Sequence, residues 1–391
     1  MRHFLIQLLS LVCLVGFTAC SNSQRDTQPL EISGAGIAVD SPTDQARGLV
    51  LAAVSDGSSG SLSKVYSTPP YETEREIAPA GPSARMRLFF GNLYLVNPEL
   101  SRIDLLDKAT LLPVRSFPTG QGTQPMDILV LNRNYALVSD FNGDHLLSLN
   151  LVTGEVRDAI DLGGYSDPDG IPEMVMMEKV GNKLYVQLQR FDQQTYMEHG
   201  ATLAVINLIS DSRNSQAFPK ASLLAGIALR GTRPRFKMQV DSQTDRLYVA
   251  TPGVALDFFD NRGVEEIDLA AGQSIGFFIT EAQIGGDMGP FAITDRNHGF
   301  VAWHTEFPAS THLSYFERGQ TLGQLRMSAD GDIDALTFDP QRRLIFYAEP
   351  SNAQFTGGLD GVVFIYDANT ATPLSGALSV GKPPVDLLVY R

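Results

Sequence analysis

Cysteine is nearly absent from this chain. Among its 391 residues there are two cysteines, Cys13 and Cys20. Both lie within the first twenty residues, so the remainder of the chain can form no disulfide framework. The same count excludes a cytosolic redox or zinc site built from thiolates.

Positive charge and long hydrophobic runs are also scarce. Lysine and arginine number 30 against 44 aspartate and glutamate residues, which gives a formal net charge of −14. Such acidity argues against nucleic acid as a partner and against a polybasic membrane-binding face. With 43% hydrophobic residues and a mean hydropathy of −0.04, the chain has the composition of a globular protein with a large core.

The first 19 residues have the order of a secretory signal. Arg2 supplies a basic start, and the apolar run Phe4 to Phe17 follows it. This run is too short to span a membrane comfortably, for which roughly 20 residues are needed. The segment then ends in Phe17-Thr18-Ala19-Cys20, which resembles the bacterial lipobox. That resemblance implies cleavage before Cys20 and acylation of its side chain, for example with palmitate; an ordinary signal with an incidental cysteine is the alternative.

These features divide the chain into three segments. We predict a lipoprotein signal peptide over residues 1–19, a lipidated Cys20 with a flexible polar tether over residues 20–45, and one folded domain over residues 46–391. By resemblance to enterobacterial sorting, a residue other than aspartate after the cysteine, here Ser21, implies transfer to the outer membrane. The protein is therefore expected in the cell envelope, anchored to a membrane and facing the periplasm or the cell surface, and it is expected to be monomeric.

The folded domain is predicted to consist of short β-strands in repeats. One unit begins at a proline or aspartate and recurs at intervals of 42 to 62 residues, starting at Pro82, Pro125, Pro172, Pro234, Pro290, Asp332 and Pro384. Each unit contains a strand with an aromatic residue, in six copies: residues 93–96, 135–138, 184–186, 247–250, 300–303 and 345–348. Four strands per unit at this period are typical of a β-propeller.

The count of strands predicts how the ring closes. The seventh unit has room for one strand, residues 384–390. The N-terminal part supplies a second, third and fourth strand at residues 49–54, 62–66 and 73–78, with no first strand before them. We therefore predict an all-β, seven-bladed β-propeller whose first blade is closed by the C-terminal strand, which leaves no exposed sheet edge between the ends of the chain.

One repeat carries a resemblance to a known class of propellers. Its residues are Tyr135-Ala136-Leu137-Val138-Ser139-Asp140, Leu147-Ser148-Leu149-Asn150 and Thr153-Gly154-Glu155-Val156. This unit resembles the YVTN-type seven-bladed propellers, secreted bacterial and archaeal proteins of the WD40 and quinoprotein-like class. The resemblance implies the fold and assigns no catalytic residue, because a propeller can host enzymes and binding scaffolds alike.

Acidic residues in turns are the most visible polar feature. The segment 140–144, Asp-Phe-Asn-Gly-Asp, places oxygen ligands at alternating positions, but Asn-Gly is also good hairpin chemistry and no bidentate glutamate follows. The turns at residues 167–170 and 330–332 are similar. We interpret all three as turns.

A candidate cation site follows from propeller geometry. First strands line the central channel, and Asp127, Asp334 and Asp386 occupy the same position in three of them, while Glu173 and Arg235 open two others. Converging carboxylates would bind a cation such as calcium. The alternative is that these aspartates accept hydrogen bonds from neighbouring backbone N–H groups at the blade junctions.

Three functions remain open at this point. The first is a binding scaffold without turnover for a protein, polysaccharide or peptide, with no cofactor. The second is a hydrolase, lyase or lactonase-like enzyme with a metal in the channel. The third, a quinoprotein-type redox propeller, is disfavoured because Trp303 is the single tryptophan, so repeated tryptophan motifs are missing. No nucleophile elbow or Walker loop is found, so no catalytic residue is assigned.

Overall fold

The computed structural model describes residues 47–209, 217–241, 243–253, 261–306, 309–328, 335–350 and 360–390. Within them the chain forms seven four-stranded antiparallel sheets and one short hairpin. The predicted all-β, seven-bladed propeller is therefore confirmed. The described part of the chain has no helix whose length and hydrophobicity would suit a membrane span.

The first three blades take up the N-terminal half of the fold. Blade 1 contains β1 (Leu49–Ser55), β2 (Gly60–Tyr66) and β3 (Thr73–Ala80). Blade 2 contains β4 (Arg85–Phe89), β5 (Asn92–Asn97), β6 (Arg102–Leu106) and β7 (Pro113–Pro118). Blade 3 contains β8 (Pro125–Val130), β9 (Tyr135–Asp140), β10 (His145–Asn150) and β11 (Val156–Asp161).

Blades 4 and 5 follow, and blade 4 carries the extra hairpin. Blade 4 begins with β12 (Met174–Val180) and β13 (Lys183–Leu188), continues through the hairpin β14 (Phe191–Asp192) and β15 (Met197–Glu198), and ends with β16 (Thr202–Ile209) and β17 (Lys220–Ala228). Blade 5 contains β18 (Gln239–Asp241), β19 (Arg246–Thr251), β20 (Gly263–Asp268) and β21 (Gln273–Thr280).

The last two blades lead back to the first. A short helix α1 (Glu281–Ile284) precedes blade 6, which contains β22 (Asp287–Ile293), β23 (His298–Glu306), β24 (Ala309–Glu317) and β25 (Gln320–Ser328). Blade 7 contains β26 (Ala335–Asp339), β27 (Leu344–Pro350), β28 (Gly361–Asp367) and β29 (Leu378–Gly381). The final strand, β30 (Pro384–Tyr390), pairs with β1 and gives blade 1 the order β3-β2-β1-β30.

The second strand of each blade is buried on both faces, which explains its aromatic and aliphatic sequence. In β5, Leu93 and Leu95 pack into the core shared with blade 1, while Tyr94 and Val96 pack into the core shared with blade 3. This division follows from the alternation of side chains along a strand. One such core lies between each pair of neighbouring blades, and the core between blades 7 and 1 closes the ring.

Two of the prolines predicted to start blades are the first residues of their strands, and one is not. Pro125 and Pro384 are the first residues of β8 and β30 as predicted, whereas Pro290 lies inside β22, which begins at Asp287. The register of β22 shifts between Met288 and Phe291. A proline cannot donate a ladder hydrogen bond, so it is tolerated at this irregularity.

Candidate functional site

The first strands of the blades surround the axis of the propeller and begin at the same end. Strands β22, β26, β30, β4, β8 and β12 contact one another in this circular order. We call the end at which these strands begin the channel mouth. It opens into a cavity of about 260 Å³ whose lining comes from the first strands of six blades and the residues just before them, including Arg85, Met176, Arg235, Lys237 and Asp386.

An ion pair joins the inner strands of blades 2 and 3. Arg87, two residues after Arg85, donates from Nε to Oδ1 of Asp127 at 2.7 Å and from Nη2 to Oδ2 at 2.6 Å. The backbone N–H groups of Ile128 and Met177 also donate to Asp127, each at 2.8 Å. Asp127 is 1% exposed, so its charge is compensated by four donors rather than by water.

A second ion pair joins blade 1 to blade 5 at the wall of the cavity. The Nζ atom of Lys237 lies 2.6 Å from Oδ1 and 2.9 Å from Oδ2 of Asp386. Burial lowers the pKa of Lys237, and the Asp386 charge opposes this effect. Asp386 also accepts a hydrogen bond from the backbone N–H of Met86 in blade 2.

Glu178 is a titratable residue of an inner strand that the sequence did not single out. It lies two residues beyond Met176 on β12. Burial raises the pKa of Glu178 to about 6, with Arg87 lowering it and Asp127 raising it further. A carboxyl with this pKa is ionised at neutral pH yet basic enough to accept a proton from a bound molecule.

Among the residues that the structure describes, cations outnumber carboxylates around the cavity, which is the reverse of the charge expected from the sequence. Arg85, Arg235 and Lys237 line the cavity, and the one carboxylate in this described lining is that of Asp386. The chain as a whole carries a formal charge of −14. A local excess of positive charge in a concave site attracts small anions and orients them.

The structure locates two of the three predicted channel aspartates. Asp127 and Asp386 both lie near the axis, but each is already paired with a cation of the protein and accepts backbone N–H groups. These contacts are of the kind expected from the alternative interpretation, in which the aspartates accept hydrogen bonds from backbone N–H groups at the blade junctions. Asp334 lies outside the described residues, so the predicted three-aspartate calcium site stays a prediction. Cys20 is also outside the described residues.

The residues that sequence reasoning missed had a recognisable signal. Arg85 and Arg87 alternate along β4, a strand that lines the channel. Two arginines at alternate positions of an inner strand point to a charged channel. The partner of Arg87 could not be identified from the sequence, because Asp127 is 40 residues away in the chain.

Comparison with known proteins supports the fold. No model of a protein family matches the chain, and no curated protein matches it. Among solved structures, a candidate 6-phosphogluconolactonase from Bacteroides fragilis NCTC 9343 superposes with a TM-score of 0.59 at 16% identity, covering 90% of this chain and 99% of the other. The periplasmic gluconolactonase PpgL of Pseudomonas aeruginosa gives a TM-score of 0.60 at 12% identity, covering 88% and 99%.

A third solved structure has a different activity. The dihydro-heme d1 dehydrogenase NirN, in complex with DHE, superposes with a TM-score of 0.52 at 13% identity, covering 93% of this chain and 79% of the other. At such identities the shared property is the architecture. The chain is thus a seven-bladed β-propeller with a cationic cavity at its channel mouth.

Proposed function

We propose that this protein is a propeller enzyme of the hydrolase type that acts on a small anionic lactone or related ester bound at the channel mouth. The observation that carries the proposal is the cationic cavity together with the half-buried, titratable Glu178, two residues beyond the cavity-lining Met176 on β12. Cavities with a few convergent charged groups and a perturbed carboxyl are the usual form of a small-molecule site.

Each charged group has a role in this proposal. Arg85 and Arg235 bind the phosphate or carboxylate of the substrate, because guanidinium groups form paired, charge-assisted hydrogen bonds with such anions. Glu178 accepts a proton from water as the water oxygen bonds to the lactone carbonyl carbon. Lys237 stabilises the negative charge that develops on the carbonyl oxygen. The ring C–O bond then breaks, and the leaving oxygen takes the proton from Glu178.

The choice of a lactone is supported by two of the superposed structures. One is a candidate 6-phosphogluconolactonase and the other a periplasmic gluconolactonase, and 99% of each of these chains is covered by the superposition. This supports the substrate class through shared architecture alone. The charge of the cavity is an independent argument for an anionic substrate.

Turnover by the purified protein is the direct test. Glucono-δ-lactone and its 6-phosphate are offered as substrates, with spontaneous hydrolysis subtracted. We expect the phosphorylated lactone to be preferred, kcat/KM to rise with pH through about 6 as Glu178 of the free protein ionises, and Glu178→Gln to reduce kcat by about 10²-fold or more. Arg235→Ala should mainly raise KM, whereas Asp158→Asn, on an exposed outer strand, should change neither constant.

The same experiment separates the enzyme from a binding scaffold. A scaffold for a protein, polysaccharide or peptide is the other function that the sequence indicates, and it would bind at the mouth without turnover. If the phosphorylated lactone binds but neither lactone is hydrolysed above the spontaneous rate, the hydrolase proposal fails. If Glu178→Gln is fully active, the assigned base is wrong.

We also propose that the propeller is lipid-anchored in the cell envelope, at the outer membrane, and that it is a YVTN-type member of its class. The anchor is supported by the sequence from Phe17 to Cys20 and the location by Ser21, while the YVTN type is supported by the repeat beginning at Tyr135. A propeller held by a flexible tether would work on substrates diffusing through the compartment that it faces.

A further inference from the structure

A compact group of carboxylates lies between blades 3 and 4. Asp167, Asp169 and Glu173 belong to the loop that leads from β11 to β12. One carboxylate oxygen from each of the three lies within 4.8 Å of the other two. Ligand distances to calcium are about 2.3–2.6 Å, so oxygens bound to one ion are separated by at most about 5 Å.

Two of these carboxylates have buried oxygens without a hydrogen-bond partner. Glu173 is 0% exposed, and its Oε1 has no partner. Asp167 is 8% exposed, and its Oδ2 has no partner. A buried carboxylate oxygen that no donor satisfies is costly. A bound cation, or a proton shared between the carboxylates, would remove this cost.

Backbone N–H groups hold the other oxygen of Asp167 and of Glu173, and they hold both oxygens of Asp169. The N–H of Asp169 donates to Oδ1 of Asp167 at 3.0 Å, and the N–H of Phe191 donates to Oε2 of Glu173 at 3.0 Å. Asp169 accepts hydrogen bonds from the N–H groups of Ile171 at 3.1 Å and Gln193 at 3.0 Å. Such outer contacts fix the direction of metal-ligating carboxylates.

We propose that Asp167, Asp169 and Glu173 bind a hard divalent cation, calcium in the first place. Carboxylate oxygens on a loop are the ligands that calcium prefers, with waters and carbonyl groups completing its coordination. Asp169 is half-buried, so an ion from solvent would reach the three carboxylates at this residue. This site is separate from the channel aspartates, and the inference does not depend on the proposed enzymatic activity.

The state without an ion has a recognisable cost. Burial raises the pKa of Glu173 to about 8, and the charges of Asp167 and Asp169 raise it further. Burial likewise raises the pKa of Asp167. A proton shared within the group is therefore the competitor of the ion, and both would relieve the same repulsion.

A bound ion would tie the loop between the blades to the hairpin β14–β15. Phe191 and Gln193 of this hairpin already contact Glu173 and Asp169 through their backbone N–H groups. The Arg233 guanidinium lies 4.2 Å above the Phe191 ring. Calcium would thus stabilise the hairpin as well as the loop that opens blade 4.

Calcium binding by the purified full-length protein tests the proposal. After removal of metals with EDTA, calcium chloride is titrated by calorimetry and the melting temperature is followed. We expect one ion per chain, a dissociation constant of about 0.1–1 mM as in extracellular calcium modules, and a melting temperature raised by several degrees at saturation. Magnesium should bind more weakly, because it demands a tighter octahedral site.

Variants distinguish this site from the channel. Glu173→Gln keeps an acceptor for the Phe191 N–H but loses the charge, so we expect affinity to fall by about tenfold or more. Asp169→Asn should act in the same direction. Asp127→Asn is the matched control, since it alters a buried carboxylate of the channel, and it should leave calcium binding unchanged.

Three results would overturn the proposal. The first is the absence of calcium binding in folded, metal-free wild-type protein, which would leave a shared proton as the occupant. The second is wild-type affinity in Glu173→Gln. The third is loss of binding in Asp127→Asn alone, which would move the ion to the channel. The wild-type titration is decisive even if a variant does not fold.

Discussion

The carboxylate of Asp386 accepts a hydrogen bond from the backbone N–H of Met86 at 2.7 Å, across 300 residues of sequence. Met86 is fully buried in the core between blades 1 and 2. The same carboxylate is paired with Lys237 of blade 5 on the far side of the mouth. One side chain of the C-terminal strand therefore connects three blades, and it joins ring closure to the wall of the candidate site.

Deletion of residues 384–391 tests the closure. The deletion removes β30, exposes the edge of β1 and leaves Lys237 without its partner, so we expect insolubility or a large loss of thermal stability. A few terminal residues are ordinarily dispensable. Deletion of Arg391 alone is the control and should be harmless. An unchanged melting temperature in the longer deletion would contradict the role of β30.

The Asp386–Lys237 pair predicts a specific pattern of coupled variants. Asp386→Asn keeps an acceptor for Met86 but leaves the buried ammonium uncompensated, so we expect a loss of about 2 kcal/mol in the free energy of unfolding. This is below the cost for a fully buried pair, because the Lys237 side chain is 30% exposed. Adding Lys237→Met should recover part of the loss. Urea denaturation measures each step; additive losses in the double variant would show that the two residues are not coupled.

The strand pattern could be predicted from the sequence because it is repeated and local. Strands such as β9 combine an aromatic residue, aliphatic residues and flanking turns. The same four-stranded unit accounts for all seven blades. Counting the strands of each repeat showed that the N-terminal part of the chain supplies no first strand for blade 1. This reasoning also identified β30 as the closing strand, although its partner β1 lies more than 300 residues away.

The partners of the charged residues could not be predicted in this way. The aspartates of the first strands were recognised, but their cations come from other blades, and nothing in the sequence around Asp386 indicates Lys237. Likewise, the turn beginning at Asp167 has the sequence of an ordinary acidic loop. It differs from other turns because Glu173 folds back beside it and is fully buried, a fact that depends on the packing of blades 3 and 4.

The buried carboxyl of Glu281 makes stability depend on pH. Burial raises the pKa of Glu281 from 4.5 to about 8, although the hydrogen bond that it accepts from the Met288 N–H lowers the pKa. Between these two values the folded protein binds more protons at Glu281 than the unfolded chain does. The stabilisation from the neutral carboxyl is therefore complete below pH 4.5 and is lost as the pH rises through 8, so unfolding should become easier across this window.

Glu281→Gln tests this relationship. The glutamine is neutral at every pH and retains an acceptor for the Met288 N–H. The free energy of unfolding of the wild type should fall between pH 5 and 8. In Glu281→Gln we expect this fall to be smaller by on the order of 1 kcal/mol or more, since one pKa unit corresponds to about 1.4 kcal/mol. In metal-free protein Glu173 acts in the same direction, so part of the slope should persist there. Glu155→Gln, at an exposed position, is the control; an identical slope in Glu281→Gln would exclude Glu281 as its source.

The lipid anchor predicts different behaviour for the two cysteines. Cys20 is the residue that the lipobox resemblance marks for acylation, while Cys13 lies within the predicted signal peptide. Cells producing either variant are labelled with a radioactive fatty acid, and the protein is partitioned between detergent and water. Wild type and Cys13→Ala should be labelled and enter the detergent phase, because two or three acyl chains bury enough methylene groups for stable anchoring. Cys20→Ala should be unlabelled and should either remain as uncleaved precursor or leave the membrane fraction. Labelled Cys20→Ala, or normal cleavage with full membrane retention, would show that the chain is held by something other than a lipid on Cys20.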